Sequence, residues 1–136
     1  MTFPITGFYT GMLGLIMIVL QVLVVVARAR NDTLFGSGGK IEMLLPMRRH
    51  GNFIETVPFI LILMMMVEMM NYAPWILHAF GLLLMASRLF HFVGLNQSSG
   101  VSKGRLAAGL ITMGLVVAGS LLLLYTAVVK GAIFTL

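Results

Sequence analysis

The sequence predicts an all-α integral membrane protein, folded as a single four-helix bundle of 136 residues. Hydrophobic residues make up 60% of the chain and charged residues only 10%, whereas soluble domains average about 25% charged residues. The mean hydropathy is +1.04. Long uncharged stretches recur along the chain, and a helix needs about 20 apolar residues to cross the hydrocarbon of a bilayer. We therefore predict one domain with spans near residues 3–28, 46–70, 74–95 and 104–130.

The first and fourth spans follow directly from this length, and the third continues from Pro74 through Ser87 toward Gly94. Residues 3–27 and 106–129 contain no charged side chain. The third span begins at Pro74, and proline suits the first turn of a helix because its missing N–H has no helical acceptor there.

Small residues recur one turn apart in two of these spans. Gly7 and Gly11 form one pair, and Gly104, Ala108 and Thr112 form a longer row. Small side chains let helix backbones approach closely in membranes. We therefore predict close helix packing along both rows.

The second span is too short without its polar neighbours. The uncharged run from Thr56 to Val67 has only 12 residues, which is about 18 Å of helix at 1.5 Å per residue. The helix must therefore include Asn52 and Glu55, or Glu68, or both ends. Ionisable groups at membrane depth usually face a bundle interior or a wet cavity.

The charges of the loops predict the orientation. The loop between spans two and three carries no Lys or Arg, whereas the first and third loops are basic. The positive-inside rule then places the first and third loops in the cytoplasm and both termini outside it. The basic residues of the two cytoplasmic loops are Arg28, Arg30, Lys40, Arg48, Arg49, Lys103 and Arg105.

Several classes of site are not expected. The chain has no cysteine, so disulfides, thiolate metal sites and cysteine nucleophiles are excluded. The methionines near Met65 point about 100° apart at consecutive positions and cannot converge on one ion, so we expect no metal site. The net charge is +5, but no basic run is interleaved with aromatic residues, and we expect no nucleic-acid partner.

Three polar residues form a stripe along span two. Arg48, Asn52 and Glu55 lie on one side of a helix, within about 10 Å along its axis. Such a stripe can hold a zwitterion, because the carboxylate binds an ammonium group and the arginine binds a carboxylate through two hydrogen bonds. The alternative is an internal salt-bridge network that only holds the helices in register.

Other spans bring cationic or titratable groups to the same level. Arg88 and His91 lie one turn apart in span three, Arg28 ends span one, and Arg105 opens span four. Arg28 and Arg105 can equally be topology signals at the membrane interface.

The segment 48–59 resembles the second-helix signature of the MAPEG family, the membrane-associated proteins in eicosanoid and glutathione metabolism. The pattern R-x-H-x-N-x-x-E-x-x-P is met, Arg28-Ala29-Arg30 looks like the family's exit from helix one, and Arg88-x-x-His91 looks like its third-helix motif. The chain looks most like the small bacterial branch. The residues that meet the signature are Arg48, His50, Asn52, Glu55 and Pro58.

This resemblance implies a homotrimer in the bacterial inner membrane, with glutathione bound between subunits near the cytoplasmic face. It implies a glutathione transferase or peroxidase that acts on lipophilic substrates arriving from the bilayer. Arg105 is the candidate for stabilising the thiolate, and Ser102 is a candidate hydrogen-bond donor to it. The expected glutathione-binding residues are Arg28, Arg48, Asn52, Glu55, Arg88 and His91.

Two other functions are open at this point. A small proton-coupled transporter could use Glu55 or Glu68 as its carrier. A non-catalytic membrane subunit could keep the binding site and lack the chemistry; Leu95 favours it, because some family members have a tyrosine at that place. Gly51 likewise stands where prostaglandin-synthase-like members have an arginine.

Overall fold

The computed structural model describes residues 2–94 and 102–129. All regular secondary structure in this part of the chain is helical, and each helix is long and apolar enough to cross a membrane. This confirms the predicted all-α four-helix fold. The helices are α1 (Pro4–Asn31), α2 (Ile41–Met69), α3 (Pro74–Gly94) and α4 (Lys103–Val129).

Helix α2 includes both polar ends of the second span. It begins at Ile41, before the predicted span, and contains Asn52, Glu55 and Glu68. A span of about 20 residues that ends at Met69 begins near residue 50. A span placed in this way would include Asn52 and Glu55 and leave the first turns of α2 outside the hydrocarbon.

The N-terminus of α1 is capped by a side chain from α2. The N-cap residue is Phe3, which has no side-chain hydrogen bond to the helix. Instead, the two carboxylate oxygens of Glu68 accept hydrogen bonds from the backbone N–H groups of Ile5 at 3.0 Å and Thr6 at 2.9 Å. A carboxylate at this position satisfies donors that have no helical partner and interacts favourably with the helix dipole.

The core lies between the four helices, and small residues bring them close together. A Cβ atom at Gly104 would lie 3.0 Å from the Cα atom of Gly94, so α3 and α4 nearly touch there. Ala108 and Thr112 continue this row and are buried, as predicted. The largest fully buried apolar side chains among the described residues are Leu13, Met43, Ile60, Met64, Leu77, Leu84 and Val67.

The other glycine row does not pack within the chain. A Cβ atom at Gly7 or Gly11 would meet no described atom within 4 Å. The close approach of α1 to α3 occurs instead at Gly81, where a Cβ atom would lie 2.3 Å from the ring of Tyr9. The spacing predicted glycines with close neighbours, but the rotation of α1 turns Gly7 and Gly11 outward.

Candidate functional site

A buried arginine joins three helices at the level of the polar stripe. Arg88 of α3 has only 6% of its surface exposed. Its Nη1 donates to Asn52 Oδ1 at 2.8 Å and to Thr56 Oγ1 at 2.7 Å, both on α2. Its Nη2 donates to Thr112 Oγ1 on α4, and its Nε donates to Ser87 Oγ at 3.1 Å.

The hydrogen bonds of Arg88 all go to neutral groups. The acceptors are an amide, a backbone carbonyl and three hydroxyls. A guanidinium group is hydrated weakly and has five N–H donors, so this many acceptors can hold it without a carboxylate. One consequence is that the side-chain carbonyl of Asn52 is fixed toward Arg88, which leaves the amide NH2 group of Asn52 directed elsewhere.

The polar stripe of α2 opens into a cavity that we call the polar cavity. Its volume is about 700 Å³. Arg48, Asn52 and Glu55 line it together with His91 of α3 and Arg105 of α4. The helical spacing therefore predicted the three α2 residues correctly as neighbours, and the structure adds two of the residues expected from other helices. The remaining lining residues are Ser37, Leu44, Met47 and Gly51.

The charges in the polar cavity are not paired with one another. Among the described residues, Arg48 and Glu55 form no ion pair and their side chains take part in no hydrogen bond. Both side chains are exposed in the single chain. An internal salt-bridge network, the alternative reading of the stripe, is therefore absent from residues 2–94 and 102–129.

His91 lies where several positive charges meet. It is half-buried, and Arg88, Arg105 and Arg49 all act on it electrostatically. The cavity thus has two arginines, Arg48 on α2 and Arg105 on α4, and a single carboxylate, Glu55 on α2. This arrangement fits a ligand that carries more negative groups than positive ones.

Two residues predicted for the glutathione site, Arg88 and Arg28, do not line the polar cavity. Arg88 is behind Asn52 and does not line the polar cavity. Arg28 donates to the backbone carbonyls of Leu34 at 2.9 Å and Gly36 at 3.4 Å, so it holds the first loop in place. Leu95 is outside the described residues.

Ser102 has a structural contact in the chain. Its Oγ accepts the backbone N–H of Arg105 at 3.2 Å and donates to the carbonyl of Gly94. The first contact is the usual cap of a helix N-terminus, and the second ties the start of α4 to the end of α3. This fixes the position of Arg105 at the edge of the polar cavity.

A second cavity adjoins the polar one, and we call it the apolar cavity. It has a volume of about 460 Å³ and lies between α1, α2 and α3. Asn52 and His91 line both cavities. Arg49 also lines the apolar cavity; it donates to the carbonyl of Phe92 at 2.8 Å and lies 4.0 Å from the centre of its ring.

Sequence reasoning missed the groups that hold Arg88. Thr56 lies one helical turn after Asn52, and Thr112 ends the row of small residues on α4, so spacing could have placed both on the facing sides of their helices. No pattern in the sequence identified Arg49 as a residue of the apolar cavity, because its position depends on a contact with α3.

The chain is similar to known proteins over most of its length. The sequence model of the MAPEG family matches residues 6–125. Two relatives are the inner membrane proteins YecN of Escherichia coli K12 and of Escherichia coli O6:H1. Each is 30% identical over 93 residues, which cover 68% of this chain and 71% of the relative. No solved structure matches the chain significantly.

Proposed function

The chain belongs to the MAPEG family, and on that basis we propose that it is a glutathione-dependent enzyme of the bacterial inner membrane. It acts as a transferase or peroxidase on lipophilic electrophiles, with glutathione held in the polar cavity. The observation that carries this proposal is that Arg48, Glu55 and Arg105 line one cavity of about 700 Å³, while Arg48 and Glu55 form no ion pair among the described residues. Cavities of this size hold small-molecule ligands.

The polar cavity has partners for the ammonium group and for one carboxylate of glutathione. It has one ammonium and two carboxylate groups, and it is negative overall. Glu55 binds the ammonium group, and Arg48 binds one carboxylate through a two-point contact. The amide NH2 of Asn52, oriented by the bond between its carbonyl and Arg88, donates to a carbonyl or carboxylate oxygen of the peptide.

The arginines of the polar cavity favour the thiolate form of glutathione over the thiol. A free thiol has a pKa of about 8.5, and neighbouring cations lower it. Arg105 of α4, which lines the cavity, is the cation that stabilises the thiolate. The thiolate sulfur then bonds to an electrophilic carbon. With a chloronitrobenzene, chloride leaves with its electron pair and the thiol proton passes to water, so the reaction needs no further reagent.

The exposed charges support an assembly of several copies. Arg48 and Glu55 are exposed in the single chain, and an ionisable side chain at membrane depth normally faces protein or a wet cavity. A neighbouring copy covers this face of α2 in the proposed homotrimer. Glutathione then lies between subunits near the cytoplasmic face.

The test is glutathione-dependent conjugation of a chloronitrobenzene by the detergent-purified protein. We expect Arg105→Ala to lower kcat/KM at least about tenfold, the effect of about 1.4 kcal/mol in the transition state. Lys103→Ala, which removes a nearby exposed cation that does not line the cavity, serves as the matched control. Absence of both turnover and glutathione binding in the wild-type protein would reject the proposal.

A further inference from the structure

An apolar groove runs between α3 and α4, and we call it the α3–α4 groove. Its volume is about 710 Å³, and no charged residue lines it. It opens to the surface of the chain, because the lining residues Leu83 and Leu121 are exposed. A Cβ atom at Gly114, which also lines the groove, would meet no described atom within 4 Å, so the space beside this glycine is open.

The α3–α4 groove has the depth of one leaflet of a bilayer. It extends about 12 Å along α3, from Trp75 to Leu83, and about 21 Å along α4, from Ile111 to Tyr125, at 1.5 Å per residue. The hydrocarbon of a bilayer is about 30 Å thick, which gives about 15 Å for each leaflet. An acyl chain of a lipid in that leaflet can therefore lie along the groove and cover its apolar walls.

Two aromatic residues place one end of the groove at the surface of the membrane. Trp75 lies in the first turn of α3 and Tyr125 lies near the end of α4, and they are 71% and 64% exposed. Tryptophan and tyrosine are enriched at membrane–water interfaces, where a ring can face the hydrocarbon and its polar atom the headgroups. This end of the groove is opposite to the polar cavity along the bundle.

A polar pocket continues the α3–α4 groove at this end, and we call it the tyrosine pocket. Its volume is about 320 Å³, and Tyr125 lines both the pocket and the groove. The pocket therefore lies where the glycerol and ester groups begin for a lipid whose chain occupies the groove. It is lined by Met70, Asn71, Tyr72, Tyr125, Thr126 and Val129.

Two hydroxyl groups of the tyrosine pocket are used within the protein. The hydroxyl of Tyr72 bonds to the hydroxyl of Thr126 at 2.6 Å, and Thr126 donates to the carbonyl of Leu122 at 2.9 Å. These bonds hold the segment between α2 and α3 against the end of α4. They fix the walls of the pocket and leave the binding of a ligand to its other polar groups.

The remaining polar groups of the tyrosine pocket are uncharged hydrogen-bond donors. The side-chain amide of Asn71 and the hydroxyl of Tyr125 take part in no hydrogen bond with the described residues. Each can donate to an oxygen atom. Since no lysine or arginine lines the pocket, its chemistry suits neutral acceptors such as ester carbonyls better than a phosphate or a carboxylate.

We propose that the α3–α4 groove and the tyrosine pocket together bind one membrane phospholipid per chain. One acyl chain lies in the groove, and the ester carbonyls of the glycerol accept hydrogen bonds from Asn71 and Tyr125. The inference does not depend on the proposed function, because neither the groove nor the pocket shares a lining residue with the polar cavity.

The test uses a phosphatidylethanolamine that carries a photoreactive diazirine in the middle of one acyl chain. An equimolar amount is added to the protein in excess detergent, which covers the rest of the apolar surface. After irradiation, mass spectrometry locates the label. We expect labels on groove residues such as Ala79, Leu83 and Ala118, removed by excess unlabelled phosphatidylethanolamine.

A pair of glycine variants on α4 tests the groove. Gly114→Leu fills it, and the open space at this glycine lets the fold accept the larger side chain. We expect labelling to fall at least about tenfold, which corresponds to about 1.4 kcal/mol of binding. Gly109→Leu is the matched control, because a Cβ atom there also meets nothing within 4 Å and Gly109 lines neither the groove nor the pocket. It should leave labelling within about twofold.

Two further measurements test the tyrosine pocket. Tyr125→Phe combined with Asn71→Gly removes both donors, and glycine readily adopts the φ of 57° found at Asn71. We expect this double variant to lower labelling at least about fivefold, the effect of two lost hydrogen bonds. A phosphatidylglycerol with the same photoreactive chain should label within about threefold of phosphatidylethanolamine, because the pocket offers its anionic headgroup no cation.

Several outcomes would overturn the lipid site. Labels spread equally over α1 and α2, or an equal loss with Gly109→Leu, would show only general contact with lipid. A preference of more than about tenfold for phosphatidylglycerol, or unchanged labelling in the double variant, would contradict neutral ester recognition. A groove without label in a protein that native mass spectrometry shows to be oligomeric would mean that a neighbouring copy covers it.

Discussion

Arg88 links α3 to α2 and α4 through side-chain hydrogen bonds at the level of the polar stripe. It donates to α2, to α4 and to its own helix, and it is almost fully buried. Its partners Asn52, Thr56 and Thr112 are in turn oriented by it. The residue therefore acts on the polar cavity through Asn52 without lining that cavity.

We expect Arg88→Met to lower the thermal stability of the protein. The substitution keeps much of the apolar length and leaves Asn52, Thr56 and Thr112 without their donor, and an unsatisfied buried polar group costs about 1–3 kcal/mol. The midpoint of thermal unfolding, followed by size-exclusion chromatography in detergent, measures the effect. Arg30→Met, at an exposed position of α1, is the control, and equal midpoints for the two variants would contradict this role.

The charges of the polar stripe are expected to carry the affinity for glutathione. Arg48→Ala and Glu55→Gln each remove one partner of a charged contact, and we expect each to weaken binding by about one to a few kcal/mol. Calorimetric titration of the purified variants measures the change, with Arg30→Ala as control. Unchanged affinity in both variants would place glutathione elsewhere.

The sequence predicts neighbours along one helix far better than contacts between helices. Arg48, Asn52 and Glu55 converge on one cavity because the helical period alone decides which residues share a side. Arg28, Arg88 and Arg105 were expected at one depth along the bundle axis. The depth of a residue does not determine which neighbour its side chain faces. Arg28 turns to its own loop and Arg88 to the interior, and these directions depend on how each helix is rotated against its neighbours.

At the scale of helices, Glu68 has a defined structural contact. Its carboxylate bonds to the first free N–H groups of α1. The sequence required either Glu68 or Glu55 to lie at membrane depth, but it could not identify the partner, which is backbone more than 60 positions away. This contact accounts for Glu68 without the proton-carrier role considered for it.

We expect Glu68→Ala to loosen the first turn of α1. Two amide N–H groups lose their acceptor, so the backbone amides of Ile5 and Thr6 should exchange their hydrogens about 5–30-fold faster, the effect of one or two kcal/mol. Hydrogen exchange with mass spectrometry measures this change. Glu68→Gln keeps one acceptor and should fall between Ala and wild type.

The control for this experiment is Glu42→Ala, which removes an exposed acidic residue from the first turn of α2. Its exchange at Ile5 and Thr6 should match the wild type. The account of Glu68 as a helix cap fails if Glu68→Ala leaves exchange unchanged. It also fails if Glu68→Gln abolishes pH-gradient-driven efflux of a lipophilic cation from cells.

At the scale of the whole molecule, charge predicts how the bundle lies in the membrane. The absence of cysteine makes single-cysteine labelling straightforward. With both termini outside the cytoplasm, Thr2→Cys should react with a membrane-impermeant maleimide in intact cells. Phe35→Cys, in the first loop and 89% exposed, should react only after the membrane is opened.

The opposite labelling pattern would contradict the predicted orientation. Reaction of Phe35→Cys in intact cells together with protection of Thr2→Cys would reverse the orientation. It would also place the polar cavity, which Ser37 of the same loop lines, on the side away from cytoplasmic glutathione. The same two variants in detergent show that both sites are accessible to the reagent.

The fold of the whole chain follows from the lengths of its apolar runs, whereas its assembly does not. Two uncharged stretches of sufficient length, and two more that reach it by including polar residues, leave few arrangements for 136 residues. The number of subunits in the assembly depends on complementary outer surfaces. The sequence indicates only that polar residues of α2, such as Glu55, are expected to face protein or water and not lipid. Native mass spectrometry from detergent is expected to give a trimer.

The most direct measurement is a calorimetric titration of glutathione into the detergent-purified wild-type protein. We expect saturable binding with one glutathione per chain, because each chain contributes one polar cavity with one carboxylate and two arginines. Heat no greater than that of dilution throughout the titration, with the protein still folded and helical, would contradict the claim that this cavity binds glutathione.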